Sequence, residues 1–242
     1  MSIMREALRL TVVRALRGRT WADVRDSEQG AIEDLAVNAA RPVISVYTDD
    51  GTTDDAGDVG LFAGSSQSIL IEIAMTARMQ LEASTETEIV QPETDASLEL
   101  SVGMIERQVR AALSDPTSPW GDLFTRFGKV TDFKSVRGTL MREGVRFAGR
   151  QVQITLALYG DPAPGAQINP GSTLGTFLAL LEASPEPGAA KTAQAFRDAV
   201  AGNAGDWFGW QRDVAEFALG NSAGRALGLL PPAGITDAEP EF

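Results

Sequence analysis

The side chains in this sequence that could do chemistry are carboxylates. Asp49 and Asp50 open a run of five Asp and three Gly between residues 48 and 60, and Glu72 follows in an alternating segment. Clustered carboxylates can hold calcium, but the Asp, Gly and Glu positions do not match the EF-hand spacing. We therefore predict that the run is an exposed hairpin loop and that Glu72 points out of a strand.

Beyond carboxylates, only Lys or Tyr side chains remain for catalysis, because the usual catalytic residues are missing. The chain of 242 residues has no His and no Cys, which removes the usual general base, the Ser-His and Cys-His pairs, thiolate metal ligands and disulfides. It also lacks GxxxxGK, GxGxxG and GxSxG motifs. We predict a protein that is not an enzyme and that has no catalytic residue, metal site or cofactor. A small enzyme that uses Asp49, Asp50 or Glu72 on a divalent cation is the weaker alternative.

Charge is unevenly distributed along the chain, whose net charge is −12. Residues 1–25 carry six Arg against two acids, residues 107–150 carry nine Lys or Arg against four acids, and residues 49–99 carry twelve carboxylates and one base. The acidic total argues against tight nucleic-acid binding. The blocks either pair within the subunit or let the basic face of one copy meet the acidic face of the next in a head-to-tail ring.

The strongest strand signal lies between residues 144 and 165. Val152, Ile154, Leu156 and Leu158 alternate with polar residues, as in a strand with one buried face, and a proline-rich segment ends it. Two further strands are predicted at residues 42–48 and around Ile69 to Met75, the second inside the sheet, and a short strand is predicted at residues 130–136.

Two helices are predicted to flank this sheet. The first follows the apolar spacing from Met4 to Leu16 and ends at Gly18, and the second runs from Ala96 to Leu113 and should lie on the sheet. Between the first helix and the first strand, the sequence predicts a buried Trp21 and a short helical turn through residues 32–35. The apolar cluster after the second helix is expected to be core, namely Trp120, Leu123, Phe124 and Phe127.

The order of elements predicts an α+β fold, with a mixed, mostly antiparallel sheet flanked by helices. We place the core at residues 1–165 and a C-terminal helical extension at residues 166–242, with helices near 173–183, 189–202 and 206–220. The N-terminus has no uninterrupted apolar h-region, and no later stretch approaches the length of a membrane span. These features predict a soluble protein without a signal peptide.

The same order resembles a known family. A basic N-terminal helix, GRT at residues 18–20, PVISVYTDD from Pro42, SILIEIAM from Ser68, an amphipathic helix and a turn into RFAGRQVQITL are similar to the tail terminator family (minor tail protein U type) of long-tailed phages and gene-transfer particles. The likeness covers about residues 1–165, and LGLLPPAG near the end is similar to longer members. The helical extension departs from the minimal family pattern.

The resemblance implies a virion protein of the tail neck, assembled in the host cytoplasm. It implies a homo-oligomer, usually a hexameric ring, that caps the tail tube, stops its polymerisation and offers a docking surface to the head-tail connector or stopper. DNA would pass through the bore without specific binding, no membrane would be involved, and no catalytic residue is carried over. Another neck or tail-completion adaptor is the alternative. The candidate subunit or partner contacts are Arg5, Arg9, Arg14, Asp49, Asp50, Asp54, Asp55, Trp207 and Trp210.

Overall fold

A computed structural model describes residues 2–27, 41–52, 65–76, 95–142 and 145–202. The helices in these ranges are α1 Ile3–Leu16, α2 Asp95–Leu113, α3 Pro119–Arg126, α4 Thr173–Glu182 and α5 Ala189–Ala201. The strands are β1 Asp23–Asp26, β2 Val43–Thr52, β3 Ser65–Thr76, β4 Gly128–Arg142 and β5 Val145–Leu158. The predicted α+β class is confirmed.

The five described strands form one sheet in the order β1-β2-β3-β5-β4. β1 runs parallel to β2, and every other neighbouring pair is antiparallel. β3 lies between β2 and β5, so its predicted place inside the sheet is confirmed. β4 and β1 are the outer strands, and β1 covers only the first part of β2.

One face of the sheet carries the core. The four alternating residues predicted to be buried on β5 have exposed fractions between 0 and 5%. Two of them, Val152 and Ile154, pair across to Ile71 and Ile69 of β3, which are fully buried. Helix α2 contacts β5 and β3, as predicted, and α1 contacts β2 and β1. Burial of each large apolar side chain contributes roughly 1.5 to 3 kcal/mol, which makes this face the main source of stability.

The N-terminus of α1 is capped from two directions. The Ser2 hydroxyl accepts a hydrogen bond from the backbone N–H of Arg5, as expected of an N-cap residue. The Asp161 carboxylate accepts bonds from the Ser2 hydroxyl at 3.0 Å and from the Met4 N–H at 2.8 Å. Asp161 thus ties the segment after β5 to the first helix, a contact between residues 157 positions or more apart. Gly18 has φ +69°, as a residue beyond a helix end often does.

Several local predictions are corrected. Trp21 is 43% exposed and not buried, although its backbone N–H donates to the Gln108 side chain at 2.8 Å. β1 was not predicted, because four residues paired in parallel give no alternation to detect. The short strand predicted at residues 130–136 is the 15-residue β4, since pairing with β5 holds it extended from Gly128 to Arg142.

The acidic run also differs from its prediction, and a proline that follows α2 begins a further helix. β2 continues to Thr52 on its pairing with β3, so the first residues of the predicted hairpin loop belong to a strand. Pro116 and Pro119 end α2, but Pro119 then begins α3, because a proline fits the first helical position and the Ser118 hydroxyl caps the helix. The rest of the acidic run, the turn at residues 32–35 and the helix at residues 206–220 lie outside the described residues.

The chain divides into two compact units, one of residues 1–162 and 168–180, the other of residues 163–167 and 181–242. In the second unit, α5 begins after Gly188 and ends at Gly202, and both glycines have positive φ. Arg197 binds Glu182 at 2.8 Å, and the Gly165 N–H donates to the Val200 carbonyl at 2.7 Å. The predicted helices at residues 173–183 and 189–202 are confirmed as α4 and α5, while the domain boundary at residue 165 stays a prediction.

Candidate functional site

The three candidate arginines of α1 contact groups of their own subunit. Arg5 lies 3.5 Å from the Glu6 carboxylate. Arg9 donates to the same carboxylate from Nε at 3.1 Å and from a terminal nitrogen at 3.0 Å, and it also forms an ion pair with Asp26 of β1. The Arg14 guanidinium lies 5.4 Å from the centre of the Trp120 ring, within cation–π range. The first basic block is therefore largely engaged inside the subunit.

An ionic network with a buried carboxylate at its centre joins α2 to the β4–β5 hairpin. Its centre is Glu106, which is only 6% exposed. The Glu106 carboxylate accepts hydrogen bonds from Arg110 Nε at 3.0 Å, the Ser135 hydroxyl at 3.0 Å and a terminal nitrogen of Arg150 at 2.9 Å. Glu99 lies two helical turns before Glu106 on α2. Its carboxylate forms an ion pair with Arg150 and a second one, at 3.0 Å, with Arg137. These bonds fix α2 on the hairpin.

The network is held in its charged form. Burial works to raise the pKa of Glu106, but hydrogen bonds from Arg110, Arg150 and Ser135 outweigh burial and keep the pKa below the usual value. The hydrogen bond to Glu106 in turn raises the pKa of the Arg150 guanidinium. Both groups stay ionised near neutral pH, so this network is suited to holding structure and is unsuited to proton transfer.

Sequence reasoning did not single out this network. The spacing of Glu106 and Arg110 at i and i+4 is a signal that could have suggested one of its ion pairs. The hydrogen bond between Glu106 and Arg150 joins residues 44 positions apart and depends on how α2 crosses the hairpin. A local sequence pattern therefore cannot predict it. Arg110 additionally lies over the Phe133 ring, 3.8 Å from its centre.

The second basic block has an exposed row on β4. Lys129 and Lys134 are exposed, and neither forms an ion pair with another described residue. Their register partners on β5 are Ala157 and Gln153, on the face opposite to α2. Val130 and Val136 on the same strand are 44% and 43% exposed, which is unusual for large apolar side chains. We call Lys129 and Lys134 the basic row of β4.

The acidic candidates are placed only in part. Asp49 and Asp50 lie in β2, where the register with β3 shifts between Thr48 and Gly51, as at a β-bulge. Glu72 lies on β3, and its carboxylate accepts a hydrogen bond from the Gln151 amide at 3.2 Å. Asp54, Asp55, Trp207 and Trp210 lie outside the described residues.

The described carboxylates do not assemble a metal centre. Within the described ranges, no group of three or more acidic side chains is placed where it could hold a metal ion. None of the helices in those ranges has the length and apolar character needed to cross a bilayer.

Comparison with known proteins adds no relative: the sequence matches no family model and no curated protein.

Proposed function

We propose that this protein is the tail terminator of a long-tailed phage or gene-transfer particle. In this role, copies of the chain form a ring that caps the tail tube, stops its polymerisation and offers a docking surface to the head connector. The order of helices and strands along residues 1–165 supports the proposal. The observation that carries it is the exposed basic row of β4, on a chain whose net charge is −12. Such a row is suited to bind an acidic surface.

A terminator works by geometry and needs no catalytic group. It binds the last tube ring through one face while presenting no copy of the surface to which another tube subunit would add. Polymerisation then ends because the next contact does not exist. A heterologous contact between copies supplies the ring, because repeated head-to-tail contacts close when the rotation between copies allows.

Passage of DNA through the ring is compatible with the charge of the chain. A negatively charged lining repels phosphates, so the passing duplex does not adhere to the bore. The proposed location is accordingly the neck region of the virion, reached after assembly in the host cytoplasm.

The test is capping of tail tubes in vitro. Purified tube protein is allowed to polymerise with and without this protein, and tube lengths and ends are measured by electron microscopy. We expect shorter tubes with a ring at one end. Tubes of unchanged length, with no bound protein at their ends, would contradict the proposal. Binding to the connector without any effect on the tube would indicate another neck adaptor.

Added salt gives a second readout of the same experiment. Because the contacts involve partly exposed charges, screening over about 8 to 10 Å should weaken subunit association as ionic strength rises. A variant with two exposed charges reversed elsewhere, Arg107→Glu on α2 and Lys191→Glu on α5, controls for a general effect of net charge. This variant should cap tubes as the wild type does.

A further inference from the structure

The face of α2 that points away from the sheet carries exposed apolar side chains. Leu100 is 68% exposed and Met104 is 53% exposed, although α2 already buries Val102, Ile105 and Val109 on its other face. Residues four positions apart are neighbours on a helix surface, so Leu100 and Met104 lie side by side. Isolated exposed apolar residues are normal on proteins, whereas contiguous ones mark contact surfaces.

Trp21 enlarges this apolar surface. It is 43% exposed, and its backbone N–H donates to the side chain of Gln108, which lies one helical turn after Met104. Of the six large apolar residues that are exposed in the described ranges, three therefore lie on or beside α2. This concentration distinguishes α2 from the other described helices as a contact surface.

Gly103 lies between Leu100 and Met104 in the middle of the helix. A glycine in a helix interior is destabilising relative to alanine. Contacts within the subunit do not require it, because a Cβ atom at Gly103 would have no neighbouring atom within 4 Å, whereas a Cβ atom at Gly121 would collide with the Asp115 carbonyl. A helix surface without a side chain instead permits close approach of another backbone from outside.

Two opposite charges are placed symmetrically about Gly103. Glu99 lies four residues before it and Arg107 four residues after it. The Glu99 side chain keeps 32% exposure while it binds Arg137 and Arg150. Arg107 is exposed and forms no ion pair with another described residue. The outer face of α2 is therefore complementary in charge to a second, reversed copy of itself.

This symmetry selects one orientation for such a pair. If two copies of α2 cross antiparallel at Gly103, Arg107 of each copy is level with Glu99 of the other, and Met104 of each lies beside the Gly103 of the other. A parallel pair would instead set Arg107 against Arg107 and Glu99 against Glu99, which is unfavourable because like charges repel.

We infer that two copies of this chain associate across a two-fold axis through the outer faces of α2, packed antiparallel with Gly103 at the crossing point. Such an isologous contact closes after two copies and does not propagate. It goes beyond the proposed function, because the head-to-tail contacts of a ring need other surfaces. A single helix pair is a small interface, so the association is expected to be weak and concentration-dependent.

Sedimentation velocity of the full chain at increasing concentration is the first test. The wild type should form a dimer. Gly103→Leu should stay monomeric, because the new side chain fills the crossing point. Leucine is also a better helix former than glycine, so thermal unfolding should show no loss of stability in this variant. Ala190→Leu adds the same side chain at an exposed position of α5 and should dimerise as the wild type does.

Disulfide formation tests the orientation directly, because the chain has no Cys. Gly103→Cys should give a cross-linked dimer under mild oxidation, since a disulfide needs Cα atoms about 4.4 to 6.8 Å apart. Ala111→Cys should not, because its two copies would be about 24 Å apart along the antiparallel helices. A mixture of Ala96→Cys with Ala111→Cys should cross-link, since these two positions are level across the pair.

Three results would each overturn the inference. The first is a wild-type chain that stays monomeric at the highest soluble concentration. The second is dimerisation of a folded Gly103→Leu variant at the wild-type concentration. The third is cross-linking of Ala111→Cys alone as fast as Gly103→Cys, which would indicate random collision. The cysteine variants keep the test decisive if Gly103→Leu fails to fold.

The tube-capping assay separates this inference from the proposed function. A chain that pairs through α2 but does not bind tube ends would support the pair and reject the terminator. A chain that caps tubes but stays monomeric in solution and gives no Gly103→Cys cross-link would support the terminator and reject the pair. If both proposals hold, Gly103→Leu should lose the dimer and still cap tubes.

Discussion

On α1, each of the three candidate arginines lies against another group of its own subunit, whereas on β4 the two lysines face solvent. The difference follows from how many helices and strands lie next to each element. α1 has a buried stripe and contacts two other helices and two strands, so partners surround it. Among the described strands, β4 has one neighbour, β5. Equal charges in a sequence therefore differ in whether they remain available for a partner molecule.

The ionic network around the buried Glu106 under α2 is the first place to test that comparison. Glu106→Ala should lower the free energy of unfolding by about 3 kcal/mol, toward the low end for a broken buried ion pair, because Arg150 keeps its contact with Glu99. Urea denaturation measures the loss. Arg107→Ala, at an exposed position on the same helix, should change stability by less than about 0.5 kcal/mol. Similar losses in both variants would contradict a central role for Glu106.

The exposed row requires that β4 be anchored on β5 from its first residue. A Cβ atom at Gly128 would collide with the backbone carbonyl of Ala157, which cannot move aside as a side chain can. Gly128→Ala should therefore cost about 2 to 3 kcal/mol. At Gly138 on the same strand, the nearest atom is the Gly149 oxygen at 3.8 Å, so Gly138→Ala should be nearly neutral. Thermal unfolding of the two variants makes the comparison, and equal melting temperatures would refute this account.

A direct test compares the substitution of one arginine of α1 with the substitution of one lysine of β4. Arg9→Ala removes contacts with Glu6 and Asp26 and should cost about 1 to 2 kcal/mol in unfolding free energy. Lys134→Ala removes no ion pair with a described residue and should stay within about 0.5 kcal/mol. Chemical denaturation of the chain at low concentration isolates the subunit from association. A larger loss of unfolding free energy in Lys134→Ala than in Arg9→Ala would contradict the distinction between the two basic blocks.

The smallest expected effect is a pH dependence. The pKa of Glu106 is lower in the folded protein than its usual value of 4.5, so its charge stabilises the fold above that value. This contribution is lost as pH falls through the folded pKa. We expect the stability difference between the wild type and Glu106→Gln to shrink as pH falls below about 4.5, as measured by urea midpoints at several pH values. A difference that stays constant over this range would show that ionisation of Glu106 does not matter.

Alternation and helical spacing were sufficient to predict most of the elements. The long strand with Val152 to Leu158, the inner strand around Ile71 and the helices α1 and α2 follow from patterns that depend only on neighbours in sequence. Trp21 shows where such patterns fail. Its apolar type favoured burial, yet its position after the end of α1 leaves the residue 43% exposed. The extension of β4 was missed for the same reason, since pairing with β5 decides its length.

The sequence alone determined which segments have one apolar face and which charges each segment carries, because side-chain periodicity and composition are local properties. Only the tertiary structure decided which charges are used inside the subunit. Glu106 meets Arg150 because α2 crosses the hairpin, and Arg9 meets Asp26 because β1 pairs with β2 beside α1. Lys129 and Lys134 remain exposed because β4 is the outermost described strand on its side of the sheet. Contacts between distant segments depend on packing geometry, and no local pattern encodes that geometry.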